Sequence, residues 1–202
     1  MLRCALRTVV AVSGDDADAA LTATLDAAAG VSDVEEAHLR RLRSVARGPS
    51  PWDRATPLHL TGSALVVHPP TERVLLRWHE RQEAWMQVGG HGDPGEVDPL
   101  AITLREAVEE TGLEDLRLWP DADRTELVQA VIVPVPANDK EPAHEHGDLR
   151  YVLATDRPEK ARPENERATL RWLSVDEALE LIDEPNVAEL IRRVARLFEA
   201  AR

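Results

Sequence analysis

"VGGHGDPGEVDPLAITLREAVEETGLEDL", residues 88–116, decides how the chain is read. An apolar stretch ends in Gly89-Gly90, a Pro-Gly turn follows, and Asp98-Pro99 then opens a helix with an acid at the N-cap and a proline at the first helical position. Gly112 supplies a stop, so the spacing predicts a helix over 99–111. At about 100° per residue, Glu106, Glu109 and Glu110 fall on one arc, with Leu100, Ala101, Leu104, Ala107 and Val108 roughly opposite. One face reads as core and the other as acid. No Lys or Arg intervenes between Glu106 and Glu110, although an ordinary solvated face mixes signs. Carboxylates crowded without a cation raise one another's pKa and cost stability, whereas a hard divalent ion makes the same crowding favourable. Oxygen donors of this kind select magnesium or manganese over zinc. Arg105, one turn before Glu109, is placed to hold that carboxylate's orientation. The alternative is a merely hydrophilic face. The Gly89-Gly90 segment argues for the metal, because such a loop can bring a backbone carbonyl to the same ion.

With 202 residues, 43% of them apolar, the chain suits one globular domain with an appendage. Its net charge of −13 repels a phosphate backbone, which argues against a nucleic-acid polymer as partner. The single cysteine, Cys4, excludes an internal disulfide and any multi-Cys zinc site and fits a reducing cytoplasm. The short apolar run Thr8 to Val12 is too brief for a secretory leader, and no window approaches the ~18 apolar residues of a membrane span. A soluble cytoplasmic protein is the expectation.

Two helices are predicted before residue 50. The first, over 15–29, carries Ala17, Ala20, Leu21, Leu25 and Ala28 on one stripe and stops at Gly30. The second starts at a Ser32/Glu35 capping box, with Leu39, Leu42 and Val45 as its apolar seam and Arg40, Arg41, Arg43 and Arg47 on its flank. Residues 47–57 concentrate Pro, Gly and Ser and read as a linker, so the domain division is a helical extension over 1–50 and a main domain over 55–200. Strands follow at 58–67, 73–78, 127–135, 149–155 and 169–174. A Ser174/Glu177 capping box and an Asn186/Glu189 pair open two closing helices.

Gly90, Glu96 and the run Arg105-Glu106-Ala107-Val108-Glu109-Glu110-Thr111-Gly112-Leu113 resemble the Nudix box of the Nudix hydrolases, and a looser similarity runs from about 58 to 200. Glu96 and Arg105 are separated by one residue more than in the family's pattern. The extra residue falls before Asp98 and leaves the helix register intact, while the role of Glu96 stays open. The resemblance implies an α/β fold, an α/β/α sandwich with a mixed sheet. It implies hydrolysis of a nucleoside diphosphate linked to another group X, with Mg²⁺ or Mn²⁺ as cofactor. By the same resemblance Gly90, Glu106, Glu109 and Glu110 hold the metal. Glu106 is the general base or a further ligand, and Arg105 is an orienting residue. Glu141, Glu145 and Asp148 are the acids available if the base comes from a distal loop. An isomerase of the same fold needs an active-site cysteine, for which Cys4 is poorly placed, and a non-catalytic nucleotide-binding module is expected to lose box acids.

Outside the box, His144, His146 and Asp148 alternate, and a strand starting earlier than 149 would point all three to one side. They are candidates for a second metal or for phosphate contact. His91, next to Gly90, is a further substrate-binding candidate. Trp52 and Trp85 read as packing residues before base-stacking ones. A homodimer is left open.

Overall fold

The computed structural model describes residues 14–202 apart from 124, 125 and 140, with side chains described from residue 19 onward. Cys4 and the run Thr8 to Val12 lie outside the described residues. The elements in chain order are α1 (Gly14–Ala27), α2 (Asp33–Ala46), β1 (Leu58–His68), β2 (Arg73–His79), β3 (Ala84–Met86), β4 (Val88–Gly90) and α3 (Pro99–Thr111). They continue with β5 (Arg117–Leu118), β6 (Gln129–Val135), β7 (His144–Ala154), β8 (Leu170–Ser174), α4 (Val175–Leu181) and α5 (Pro185–Ala200).

All eight strands join one mixed sheet. Its main path runs β3-β2-β1-β7-β5, with β4 on β1, β6 on β7 and β8 on β2. Only β1 and β7 pair in parallel, from Leu58 opposite Glu145 to Val67 opposite Ala154. Side chains alternate across a strand, so β1 serves two cores. Leu65 and Val67 pack with Val152, Ala154, Ala178, Leu190 and Val194 under α4 and α5. Ala64 and Val66 face the other way, with Tyr151, Leu153 and Ala107 beneath α3. The result is the helix, sheet, helix sandwich expected.

Several boundaries differ from the sequence expectation. The 84–88 stretch is broken at Gln87 into two short strands, and the two-residue β5 had no signal of its own. The last helix starts at Pro185 with Glu184 as N-cap, because a proline at the first helical position sets the boundary ahead of Asn186. Ser32 caps α2 as expected, but the Glu35 carboxylate turns away to accept from Val31 N, Ala130 N and Arg193.

The core face of α3 is also rotated from the one predicted. Ile102, Thr103, Ala107, Glu110 and Thr111 are buried, whereas Ala101 and Val108 are exposed. The glycines of β1 and β4 cause this. A Cβ on Gly62 would lie 2.6 Å from Thr103 Oγ1, and one on Gly90 would lie 2.7 Å from the Glu106 carboxylate. With no side chains in the way, the polar flank of the helix settles onto the strands.

The first two helices share a core with the sheet. Leu21, Leu25, Leu39, Leu42 and Ala46 pack with Leu60, Ala130, Ile132 and Leu149. The 47–57 segment joins in: Pro51 O accepts from Leu60 N at 2.7 Å, and Trp52 packs on the same cluster. Glu35 and Arg193, both buried, pair at 2.7 Å and tie α2 to α5. The arginines of α2 are largely spoken for, with Arg43 on Glu36 at 3.1 Å, Arg47 on Asp26 at 3.1 Å and Arg41 on Glu145.

A chain beginning near Ala55 is therefore expected to lose cooperative melting, since it exposes Leu60, Ala130 and Ile132 and strands the Arg193 guanidinium. Leu42→Ala in the full chain should cost about 2–5 kcal/mol by denaturant unfolding. Wild-type melting of the shortened chain would show the helices to be a dispensable appendage.

Candidate active site

Asp98 caps α3 by accepting from Leu100 N at 2.8 Å and Ala101 N at 3.1 Å, and Gly112 ends the helix in the left-handed region at φ 67°. The helix thus keeps its register, and the extra residue between Glu96 and Arg105 is absorbed in the loop. Glu96 retains its arginine: Arg105 Nη2 reaches it at 2.8 Å and Nε at 3.0 Å. The same guanidinium donates to Glu106 Oε1 at 2.9 Å, to Glu109 Oε2 at 3.0 Å and to the His91 carbonyl at 2.9 Å. One planar fork thus holds the loop and two helix acids in fixed relation.

Glu110 departs from the expected surface position. It is buried, accepts from Gly89 N at 2.9 Å and faces Arg77 at 3.2 Å, and Arg77 also pairs with Glu164. Arg77 is a member of the site that the sequence reading did not single out. Burial pushes the Glu110 carboxyl up to about 7 against the pull of Arg77. Burial also raises Glu106, with Glu109 and Asp93 adding to it, whereas its hydrogen bonds from Arg105 hold Glu96 low. Asp93, Glu96, Glu106, Glu109 and Glu110 thus share the guanidiniums of Arg105 and Arg77. An all-oxygen donor set with surplus negative charge, partly out of water, fits a hard divalent cation.

Gly89, Gly90 and Glu110 border a cavity of about 1560 Å³ that is also lined by Arg54, Arg77 and Arg81. Its other wall is histidine. β7 begins at His144, so His144, His146 and Asp148 do share one side of the strand, and the parallel register sets His59 of β1 opposite His146. His91 completes the group from the end of β4. The Nε2 atoms lie 3.1 Å apart for His59 and His91, 3.2 Å for His91 and His146, and 3.1 Å for His144 and His146. Burial, with the neighbouring imidazoles adding to it, lowers His91 to about 3 and His146 to about 4. His59 was not among the predicted residues. Its only sequence signal was its alternation with Thr61 and Ser63, which needs the β7 register to acquire meaning.

Asp148 does not join the histidines. Its oxygens accept from Thr61 at 3.0 Å, Ser63 at 2.9 Å, Gln87 at 3.2 Å and Arg150 at 2.7 Å, all in a buried network. Glu145 points to the opposite face of the sheet and is bound by Arg41, while Glu141 lies 3.7 Å from Arg81. Glu145 is therefore engaged elsewhere and Asp148 is held in its own network, while Glu141 stays on the cavity wall. Trp85 packs edge-on against Trp78 and under Arg171, a packing role.

A mixed sheet between helices, with a helix-borne carboxylate cluster beside a wide cavity, defines an α/β enzyme of the kind that handles charged small molecules. The family model of the NUDIX domain matches residues 58–194, so the chain belongs to the Nudix family, hydrolases that act on acid anhydrides. Among solved structures, it is similar to an Ap4A hydrolase from C. elegans in a binary complex, at 19% identity and TM-score 0.55, with 71% of this chain and 98% of that one covered. It is also similar to RenU, a Nudix hydrolase from M. smegmatis, at 22% identity and TM-score 0.51, covering 71% and 88%. At such identities the likeness concerns the fold. No curated protein matches the chain. Among the described residues, no helix is long and apolar enough to cross a membrane.

The network around Asp148 predicts that Asp148→Ala, which leaves Arg150 buried without its carboxylate, destabilises the fold by about 3–5 kcal/mol in denaturant unfolding. Unchanged stability together with weakened substrate binding would return Asp148 to a substrate-contacting role.

Proposed function

We propose that the chain hydrolyses a phosphoanhydride bond in a nucleoside diphosphate linked to another group, using Mg²⁺ or Mn²⁺ held by Glu106, Glu109, Glu110 and the Gly90 carbonyl. The observation that carries this is the surplus of carboxylates around Gly89 and Gly90, on the border of a cavity whose wall also carries Arg54, Arg77 and Arg81. Such a wall suits a polyanionic ligand, and the cavity exceeds the ~300–1,000 Å³ common for small-ligand pockets, leaving room for both a nucleotide and its X group. The partner is a small molecule rather than a nucleic-acid polymer, and the compartment proposed is the cytoplasm.

A bound divalent ion neutralises the diphosphate and stabilises the charge that develops at phosphorus. The chain's own residues set the geometry. Arg105 fixes Glu106 and Glu109 and ties the His91 carbonyl to the helix, so the loop carrying Gly90 stays in register with the acids. Gly90 admits no side chain without displacing Glu106. The base that takes the proton from the attacking water is assigned to Glu106, which Arg105 holds beside Gly90, with Glu141 on the cavity wall as the alternative. His91, His144 and His146 line the far wall, where they meet the substrate directly or through an ion.

Glu106→Gln should lower turnover roughly 10²- to 10⁴-fold at saturating magnesium. Glu109→Gln and Glu110→Gln should raise the magnesium concentration needed for half-maximal rate. Hydrolysis in heavy-oxygen water must place the label on a phosphate product. An unchanged magnesium requirement in Glu109→Gln and Glu110→Gln would remove their ligand roles, near wild-type turnover in Glu106→Gln would remove its role as base, and an unlabelled, intact diphosphate would point to a binding module or an isomerase.

A further inference from the structure

We propose that His59, His91 and His146, with His144 beside them, form a second, chemically distinct metal site, one for a transition-metal dication of the zinc class. The proposal holds whether or not the carboxylate centre hydrolyses anything, because it rests on the imidazoles alone. One ring nitrogen from each of His59, His91 and His146 already lies within 4.8 Å of the other two, and His144 sits 3.1 Å from His146 with its ring stacked on His59. Tetrahedral zinc with Zn–N bonds of about 2.0–2.1 Å places its nitrogens about 3.3 Å apart. The three contacts of 3.1, 3.2 and 3.1 Å are close to that spacing.

Hydrogen bonding among the rings does not account for this arrangement. A neutral imidazole nitrogen carries either one proton or one lone pair. His59 Nδ1 lies 3.0 Å from the Thr56 carbonyl and His144 Nδ1 lies 2.9 Å from the Pro142 carbonyl. A carbonyl only accepts, so both Nδ1 atoms are protonated and both Nε2 atoms present lone pairs. The contacts form a chain in the order His59, His91, His146, His144, with a lone pair at each end. Satisfying the first link requires a proton on His91 Nε2, and satisfying the last requires one on His146 Nε2. The middle link then sets proton against proton. Every other neutral assignment sets lone pair against lone pair somewhere, and an imidazolium at the buried His59 would be a cation facing three further imidazoles. A shared metal ion removes the conflict, because the nitrogens of His59, His91 and His146 would donate to one centre, with His144 supporting His146 from beside it. The Nδ1–H bonds to Thr56 and Pro142 are the usual backbone anchors of metal-bound histidine. Imidazole donors with no carboxylate among them suit zinc, cobalt, nickel or copper and not magnesium.

The site would join β1, β7 and the residue after Gly90, so loading it stiffens the same loop that carries the carboxylate centre.

The test uses the full chain, stripped with a chelator and titrated with Co²⁺. The visible bands of tetrahedral cobalt should appear at one equivalent, be displaced by Zn²⁺ and persist in excess Mg²⁺. His146→Ala should abolish them. His144→Ala, at a half-exposed strand end where folding is not at risk, should weaken zinc competition by at least about tenfold. Glu109→Gln, in the carboxylate centre, should leave the bands in place. Their absence in the wild type, their survival in both histidine variants, or their loss in Glu109→Gln would each overturn the assignment.

Discussion

Ten consecutive residue pairs, from Leu58 with Glu145 to Val67 with Ala154, hold β1 and β7 in parallel at the centre of the sheet, and the site takes its shape from that register. Strand alternation turns it into a division of labour. On one face Leu65, Val67, Val152 and Ala154 are roofed by α4 and α5, while His59, Thr61, Ser63, His146 and Asp148 continue the same face beyond the roof into the cavity. A slip of one residue would exchange this polar row for Leu60, Ala64 and Val66, which the opposite core requires. The apolar demand of two helix layers thus secures the alignment of the polar residues.

Charge is distributed by a second constraint, the scarcity of side chains where α3 meets the sheet. Gly62 and Gly90 let the helix approach so closely that Glu106 sits against backbone, and Glu110 accepts from Gly89 N. Buried carboxylates are costly unless something cationic meets them, and Arg105 and Arg77 meet only part of the demand. The surplus is the physical basis for a divalent ion, and the Arg105 fork fixes the acids without neutralising them all.

Two side-chain groups of unlike chemistry, carboxylates and imidazoles, lie on either side of one short strand. Glu106 packs against Gly90, and His91, the next residue, turns its ring to the histidines while its carbonyl stays with Arg105. Hard oxygen donors on one side and imidazoles on the other would discriminate between metals by ligand type rather than by affinity alone.

The Asp98 cap, the Gly112 stop, the paired Arg105 and Glu109, and most of the strand segments were legible in the sequence, because each rests on interactions within a few residues or on a repeat of two or 3.6. The chain's similarity to the Nudix box was legible for the same reason. The face that α3 buries was not, since it depends on glycines of other strands that accept a polar flank. Nor were the partners of Asp148 and Glu35, where the other members of the pair lie far along the chain. The four-histidine group was read only in part: His144 and His146 alternate visibly, but His59 and His91 join them through pairing between distant strands. Local sequence determined the helix, its caps and its acids. Tertiary structure decided which acids are buried, which are already engaged and which histidines meet, because burial and long-range pairing are properties of the packed sheet and not of any one segment.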